Sequence, residues 1–354
     1  MSHFTAFLGR RLAGALLTFL TLIAVTFVVY WSIPATPAGF LYPFAAHLTN
    51  YQLQHGNHLL GLDRPKLDQY GDYLWHLLHG DFGGSWRGGQ IVDNDHLLLA
   101  PIGPQLFAAT RESLSIILGG ALLVLVLALP LGAFAGRRIG SAADRLISTA
   151  TLVGICTHPM VLGLILATTL GVEQSGVIDN GYCPLRRGPK DTCGGLGPWT
   201  SHLILPWITF ALLFLALYVR MVRASVADTL HEDYVRTARA KGAGELRVMR
   251  HHVLPSAGLR VLTMVGMEVG TALGVCIYIE AAFGFQGLGR LAVTVMGGAA
   301  DQIDLPFTLA VVTIITVIVL VGNLVVDVLY AVLDPRAARE TSRGRDKPLV
   351  GGVF

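Results

Sequence analysis

Charge is what this 354-residue sequence has least of. Lys, Arg, Asp and Glu together make up 14% of it, against 53% hydrophobic residues and a mean hydropathy of +0.59. That is too little charge to coat a soluble domain of this length, so a membrane protein is expected. No Gly-Lys pair occurs anywhere, which excludes a P-loop, whose phosphate cradle needs Gly-Lys followed by Ser or Thr. No basic run is interleaved with aromatics, so the net charge of +3 carries no nucleic-acid signature. No nucleophile and base stand at recognisable spacing, which argues against an enzyme. The twelve histidines scatter as His55/His58, His76/His79, His251/His252 and a lone His158, and two ligands with no third do not make a metal centre. No metal site is predicted. Internal repeats and grouped mid-membrane charges are also missing, which weighs against a stand-alone secondary transporter or channel driven by an ion gradient.

What is present is a series of about six apolar runs of roughly 20 residues, the length that crosses a ~30 Å hydrocarbon core as helix. They lie near Leu12 to Ile33, Leu114 to Ala135, Leu146 to Val172, Leu203 to Val222, Leu262 to Phe283 and Phe307 to Leu333. The first exceeds the ~7–15 residues of a secretory signal core and has no cleavage site close behind it, so it reads as a retained helix. The fold class is therefore an all-α integral membrane protein. With both termini cytoplasmic, about 18 of the 26 basic residues fall in cytoplasmic segments, as the positive-inside rule requires. The chain divides into residues 1–33 (N-terminus and first span), an extracytoplasmic insertion 34–104, a core 105–333 and a cytoplasmic tail 334–354. Within the core, 173–202 is an outer loop and 223–258 a cytoplasmic segment.

Four cysteines fit this topology. Cys183 and Cys193 share the outer loop "CPLRRGPKDTC", where a disulfide is allowed, and a bond between them is expected, with two free thiols as the alternative. In the insertion, Leu67, Tyr70, Leu74, Leu77 and Leu78 recur at helical spacing, and the glycines of "GDFGGSW" end that helix. The course of residues 34–60, rich in Pro and aromatics, cannot be read.

The segment "HEDYVRTARAKGAGELRVMRHHVLP", His231 to Pro255, is the exception to the scarcity of charge. It carries about eight charges between Glu232 and Arg250, and at roughly 2.5–3.5 kcal/mol each its insertion would cost more than about 20 kcal/mol. It therefore lies in water. Glu232 and Asp233 at the front, Arg239 and Lys241 at the back and Gly242 beyond make a short helix. A second helical turn begins near Glu245 and ends before Pro255. A helix of ~10 residues is below the ~12–15 needed for marginal stability alone, so it requires a partner surface, either a protein or anionic lipid headgroups.

"YVRTARAKG" followed by "HHVLP", in which Gly242, Leu254 and Pro255 hold fixed positions, resembles the cytoplasmic signature of binding-protein-dependent ABC-transporter permeases. "LGLDRPKLDQY", "GDFGGSW", "AAFGFQGLGR" and "NLVVDVLYAVLDPR" are similar to the dipeptide, oligopeptide and nickel branch. Arg236 stands where the broad signature has Glu, and His252 where it has an aliphatic residue. The resemblance implies a type I importer permease fold in a bacterial inner membrane. It implies a second, homologous permease subunit, two cytoplasmic ATP-binding subunits that hold the ATP and Mg, and an extracytoplasmic solute-binding protein. No cofactor belongs to this chain. Tyr234, Val235, Arg236, Ala238, Arg239, Ala240, Lys241 and Gly242, with Leu254 and Pro255, are the residues it assigns to contact with the ATPase.

Candidates for the pathway and gate come from polar or helix-breaking residues in apolar surroundings. They are His158 and Pro159 in the third span, Glu268 and Glu280 in the fifth, and Phe283, Gly284, Gly287 and Gly289 of "AAFGFQGLGR", read as a tight turn near the outer gate. Asn323 and Asp327, one turn apart on the sixth span, are read as interhelical hydrogen-bonding groups, and a snorkelling or interface position is the alternative for Glu280.

Overall fold

The computed structural model describes residues 2–32, 37–42, 48–93, 96–169, 181–186, 193–297 and 303–333. The predicted tail 334–354 and much of the loop 173–202 lie outside the described residues. Among the described residues, five helices are long and apolar enough to cross a membrane: α1 (Ser2–Trp31), α4 (Ile102–Arg137), α7 (Leu196–Leu230), α10 (Leu254–Phe283) and α12 (Leu305–Leu333). The predicted third span is two helices, α5 (Ala142–Cys156) and α6 (Pro159–Thr169). They part at Thr157 and His158 because a proline interrupts the hydrogen-bond ladder of a helix. His158 caps the second piece, its Nδ1 accepting from the Met160 N–H at 3.3 Å.

Between α1 and α4 lie α2 (Asn50–Leu59), α3 (Lys66–Leu78) and an antiparallel pair, β1 (Gly84–Asp93) and β2 (His96–Pro101). α2 is closed by a capping box in which Thr49 and Gln52 satisfy each other's backbone N–H groups. The helix α3 and its glycine stop are as expected, and the hairpin that follows them is an element the sequence pattern did not predict. Its glycines do more than end a helix: Gly84 and Gly89 lie where a Cβ would collide with Leu99 on the opposite strand. The helix α4 also corrects the predicted boundaries, beginning at Ile102, before residue 105 and well before Leu114. Arg111 and Glu112 interrupt the apolar run, not the helix.

Helix α7 is the axis of the bundle, packing against α4, α5, α6 and α10. Its close approach to α4 depends on small residues there: a Cβ on Gly120 would enter the Phe210 ring, and one on Gly132 would meet Val222. Removing apolar surface between helices gains nothing where the alternative is lipid, so this contact is held by close packing. At the opposite edge α1 packs on α12, pinned by Arg11 to Asp327 at 3.1 Å. Asp327 thus makes the interhelical contact expected of it, while Asn323 is exposed.

The two ends of the bundle are fastened differently. At the hairpin end, buried Asp304 accepts from Ser85 Oγ at 2.6 Å and from the N–H groups of Arg87 and Phe307 at 3.1 and 3.2 Å, tying β1 to the start of α12. A disulfide joins Cys183 to Cys193, with Cα atoms 5.8 Å apart. At the end bearing the charged segment, Arg223 grips Asp144 through two hydrogen bonds of 2.5 and 2.8 Å. Those bonds, with the Gly140 N–H, hold the Asp144 carboxyl down to about 2. Its contribution is therefore full above the ordinary carboxylate range and is lost as pH falls from about 4 through 2. Asp144→Asn should lower the thermal midpoint of the purified chain at pH 7 by the equivalent of about 1–3 kcal/mol, the cost of unmet charged donors. The gap between variant and parent should narrow as pH falls through that window.

Candidate functional site

The charged segment folds as α8 (Asp233–Ala240), a four-residue link, α9 (Glu245–Val248) and a π-helical turn, Met249–Val253, that runs into α10. The sequence determines each break. Gly242 adopts φ +80°, which lets its N–H reach the Arg239 carbonyl at 2.9 Å and the Ala243 N–H reach Ala238 at 3.1 Å, a Schellman stop that only glycine makes without strain. Arg239 then clamps Glu245 with bonds of 2.8 and 3.3 Å, fixing α9 against α8. The expected end before Pro255 is not found. The π turn shifts the hydrogen bonding by one residue, so that Pro255 enters in the first turn of α10, where a missing N–H is tolerated.

What seats the two short helices on the bundle is one valine on each. Val235 of α8 and Val248 of α9 are both 0% exposed and lie in the core cluster with Val226 and Val253, so Val235 is corrected from a contact residue for a partner to the internal anchor of α8. Ala238 and Leu254 are half-buried on the same core. The outer face is open: Arg236, Arg239, Ala240, Lys241, Gly242 and Pro255 are exposed, Tyr234 is 47% exposed and Leu246 79%. Leu246 went unnoticed in the sequence because one leucine in a charged stretch gives no periodicity. His252, the departure from the family pattern, lies beside Tyr234 with ring centroids 6.3 Å apart. The arrangement is a short helix pair with one buried valine on each helix and an open face that carries Tyr and Arg, residue types concentrated where proteins bind each other, beside the exposed Leu246.

At the opposite end the "AAFGFQGLGR" turn is bound from two sides. Gly284 ends α10 in the left-handed region, φ +75°, and α11 (Leu288–Met296) begins after Gly287. Glu280 is fully buried. It accepts from Ser113 Oγ at 2.6 Å, the Arg290 N–H at 2.9 Å and the Cys276 thiol at 3.3 Å. Ser113 Oγ in turn accepts from the Leu288 N–H at 2.7 Å, and Glu112 from the Gln286 N–H at 2.8 Å. The first N–H groups of α11 thus find their acceptors on α4 and α10, with negative charge at the positive end of the helix dipole. This overturns a snorkelling Glu280. Gly287 lies where a Cβ would strike its carboxylate, and Gly289 where one would strike Ile277. Phe283 is buried in the core.

The remaining candidates do not converge. His158 is exposed and stands edge-on to Tyr278, centroids 4.9 Å apart. Pro159 starts α6. Glu268 is half-buried ten residues earlier on α10, about 15 Å of helix rise away. They do border one face of α10 on which Thr263, Met267, Gly270, Gly274 and Tyr278 are all exposed.

Residues 128–339 match a family described as "Binding-protein-dependent transport system inner membrane component". Residues 4–85 match a second, "Binding-prot-dependent transport system membrane comp, N-term". The chain is 30% identical over 331 residues to the oligopeptide transport system permease protein AppB of Bacillus subtilis, an alignment covering 94% of this chain and 98% of that one. It is 29% identical over 348 residues to the dipeptide transport system permease protein DppB of Escherichia coli, covering 93% and 98%. To the glutathione transport system permease protein GsiC of Salmonella typhimurium it is 32% identical over 326 residues, covering 92% and 96%.

Proposed function

The chain belongs to the family of binding-protein-dependent transport system inner membrane components, and from that premise we propose that it is one permease subunit of an ATP-driven peptide importer. The observation that carries the reading is the α8–α9 unit, anchored by Val235 and Val248 and open on its outer face through Tyr234, Arg236, Lys241 and Leu246. A helix of eight residues cannot hold its shape alone, and its apolar exposure is the kind a protein partner covers. A cytoplasmic ATPase fits that role, since this chain has no nucleotide-binding loop of its own. Both termini and α8 then face the cytoplasm, and the hairpin, α11 and the disulfide face outward, where an extracytoplasmic binding protein delivers substrate.

The three relatives are named for oligopeptide, dipeptide and glutathione transport, which supports peptides as the substrate class. The open α10 face supplies half of a pathway, completed by a second, homologous permease subunit. ATP-driven closure of two ATPase subunits moves α8, and the continuous α9–π–α10 rod carries that displacement to the pathway wall, exchanging inward- and outward-facing packings.

Copurification tests the assignment. The chain expressed with its neighbouring transport subunits should bring down an ATPase, and Leu246→Glu should lose it while leaving the chain inserted; retention of the ATPase by that variant would count against the site. Glu268→Gln should reduce peptide uptake about tenfold, a 1.4 kcal/mol change, with the assembled complex intact. Unchanged uptake would remove Glu268 from the pathway.

A further inference from the structure

Helix α3 has three faces. Tyr70, Tyr73 and Leu77 are half-buried and attach it to the bundle: Tyr73 shares a 2.8 Å hydrogen bond with Thr313 of α12, and the Tyr70 ring lies 5.1 Å from that of Phe27 on α1. Asp68, Asp72 and His76 make a charged exposed face, with Asp72 paired to Arg64 at 2.5 Å and His76 to Asp81 at 3.3 Å. Between them runs a third stripe, Leu67, Gly71, Trp75 and Leu78, spaced four, four and three residues apart and therefore on one side of the helix. It is apolar and open: Leu67 and Leu78 are each 83% exposed and Trp75 64%.

The depth of the attachment says what covers this stripe. Thr313 is eight residues inside α12, about 12 Å of rise below its start, and Phe27 lies within the membrane-crossing stretch Leu8–Val29. The helix is thus held beside the crossing parts of α1 and α12. The neighbouring surface of α1 is itself apolar and open through Val25, Val28 and Val29, so the stripe on α3 continues a surface that faces lipid. We propose that α3 is an in-plane membrane helix, with Leu67, Trp75 and Leu78 set among the acyl chains of the leaflet on the hairpin side and Asp68, Asp72 and His76 in water. An apolar stripe alongside a charged one, with a Trp at the boundary, is the arrangement by which helices lie in an interface. The insertion is then a platform fastened to the bilayer as well as to α1 and α12, which fixes the height of the hairpin above the membrane.

The test uses the full-length chain in phospholipid vesicles, carrying Cys156→Ser to remove the exposed free thiol and labelled with a nitroxide at Leu78→Cys or at Asp72→Cys without reductant. At position 78, collisions with oxygen should exceed those with a water-soluble nickel chelate severalfold, and at 72 the order should reverse. In the otherwise unaltered chain, lipids brominated on the acyl chains should quench a component of tryptophan emission that Trp75→Phe removes. A label at 78 as accessible to the chelate as that at 72 would overturn the proposal. So would one shielded from both reagents, the sign of a protein cover such as the binding protein or a second subunit, or a Trp75 component insensitive to bromine.

Discussion

Gly242→Pro is expected to reduce peptide uptake about 100-fold while the chain still inserts and assembles. Gly242 sits at φ +80° and donates its N–H to Arg239. Proline fixes φ near −65° and has no N–H, a mismatch worth about 3 kcal/mol or more, which corresponds to two factors of ten. The turn would open, Arg239 would lose its register with Glu245, and α8 would no longer move as one piece with α9 and α10. ATP hydrolysis by the complex should continue but lose its response to substrate. Gly242→Asn is the control, because asparagine tolerates the left-handed region; it should keep most of the uptake. Equal loss in both variants would point to a side-chain clash with the partner and away from the backbone turn.

Glu280→Ala should have the second large effect, at the other end of the rod. The carboxylate holds Ser113, Cys276 and the Arg290 N–H in a fully buried site. Removing it leaves those donors unmet and a void beside Gly287, together about 3–5 kcal/mol. The thermal midpoint of the purified chain should fall by several degrees, and uptake should be lost with it as α11 detaches from α4 and α10. Glu280→Gln keeps the volume and the bond from Ser113 but turns an amide donor toward the Arg290 N–H, so it should fall between alanine and the parent. A Glu280→Ala chain with parental melting and uptake would show that the α11 cap is dispensable.

Much of this arrangement was legible in the sequence, and the parts that were not share a cause. Apolar runs located the five long membrane-crossing helices and the paired α5 and α6 because lipid imposes one requirement along a whole helix. Gly242 marked the end of α8 because its chemistry is local. Hidden from view were features created by distant residues. Val235 reads as one of several small residues in "YVRTARAKG" until the core beneath it is known. Glu280 reads as an interfacial acid until Ser113 and the α11 backbone, far away in sequence, are brought to it. The hairpin was missed because "GSWRGG" carries a glycine signal for turns, and only Leu99 across the strand explains why those positions need no side chain. The start of α4 was placed late because hydropathy registers Arg111 and Glu112 as an end, whereas their side chains meet Tyr182 and Gln286 at the bundle's rim.

The central claim is that the open face of α8 and α9 is held by an ATP-hydrolysing neighbour, and site-specific photo-crosslinking tests it most directly. A photoreactive phenylalanine analogue at Leu246, in the full transporter in native membranes, should give a covalent adduct with the ATPase subunit whose yield changes between ATP-bound and nucleotide-free states. The same probe at Leu122, an exposed residue in the middle of α4, should give none. Adducts from Leu246 to lipid alone, or to no protein in either nucleotide state, would contradict the account.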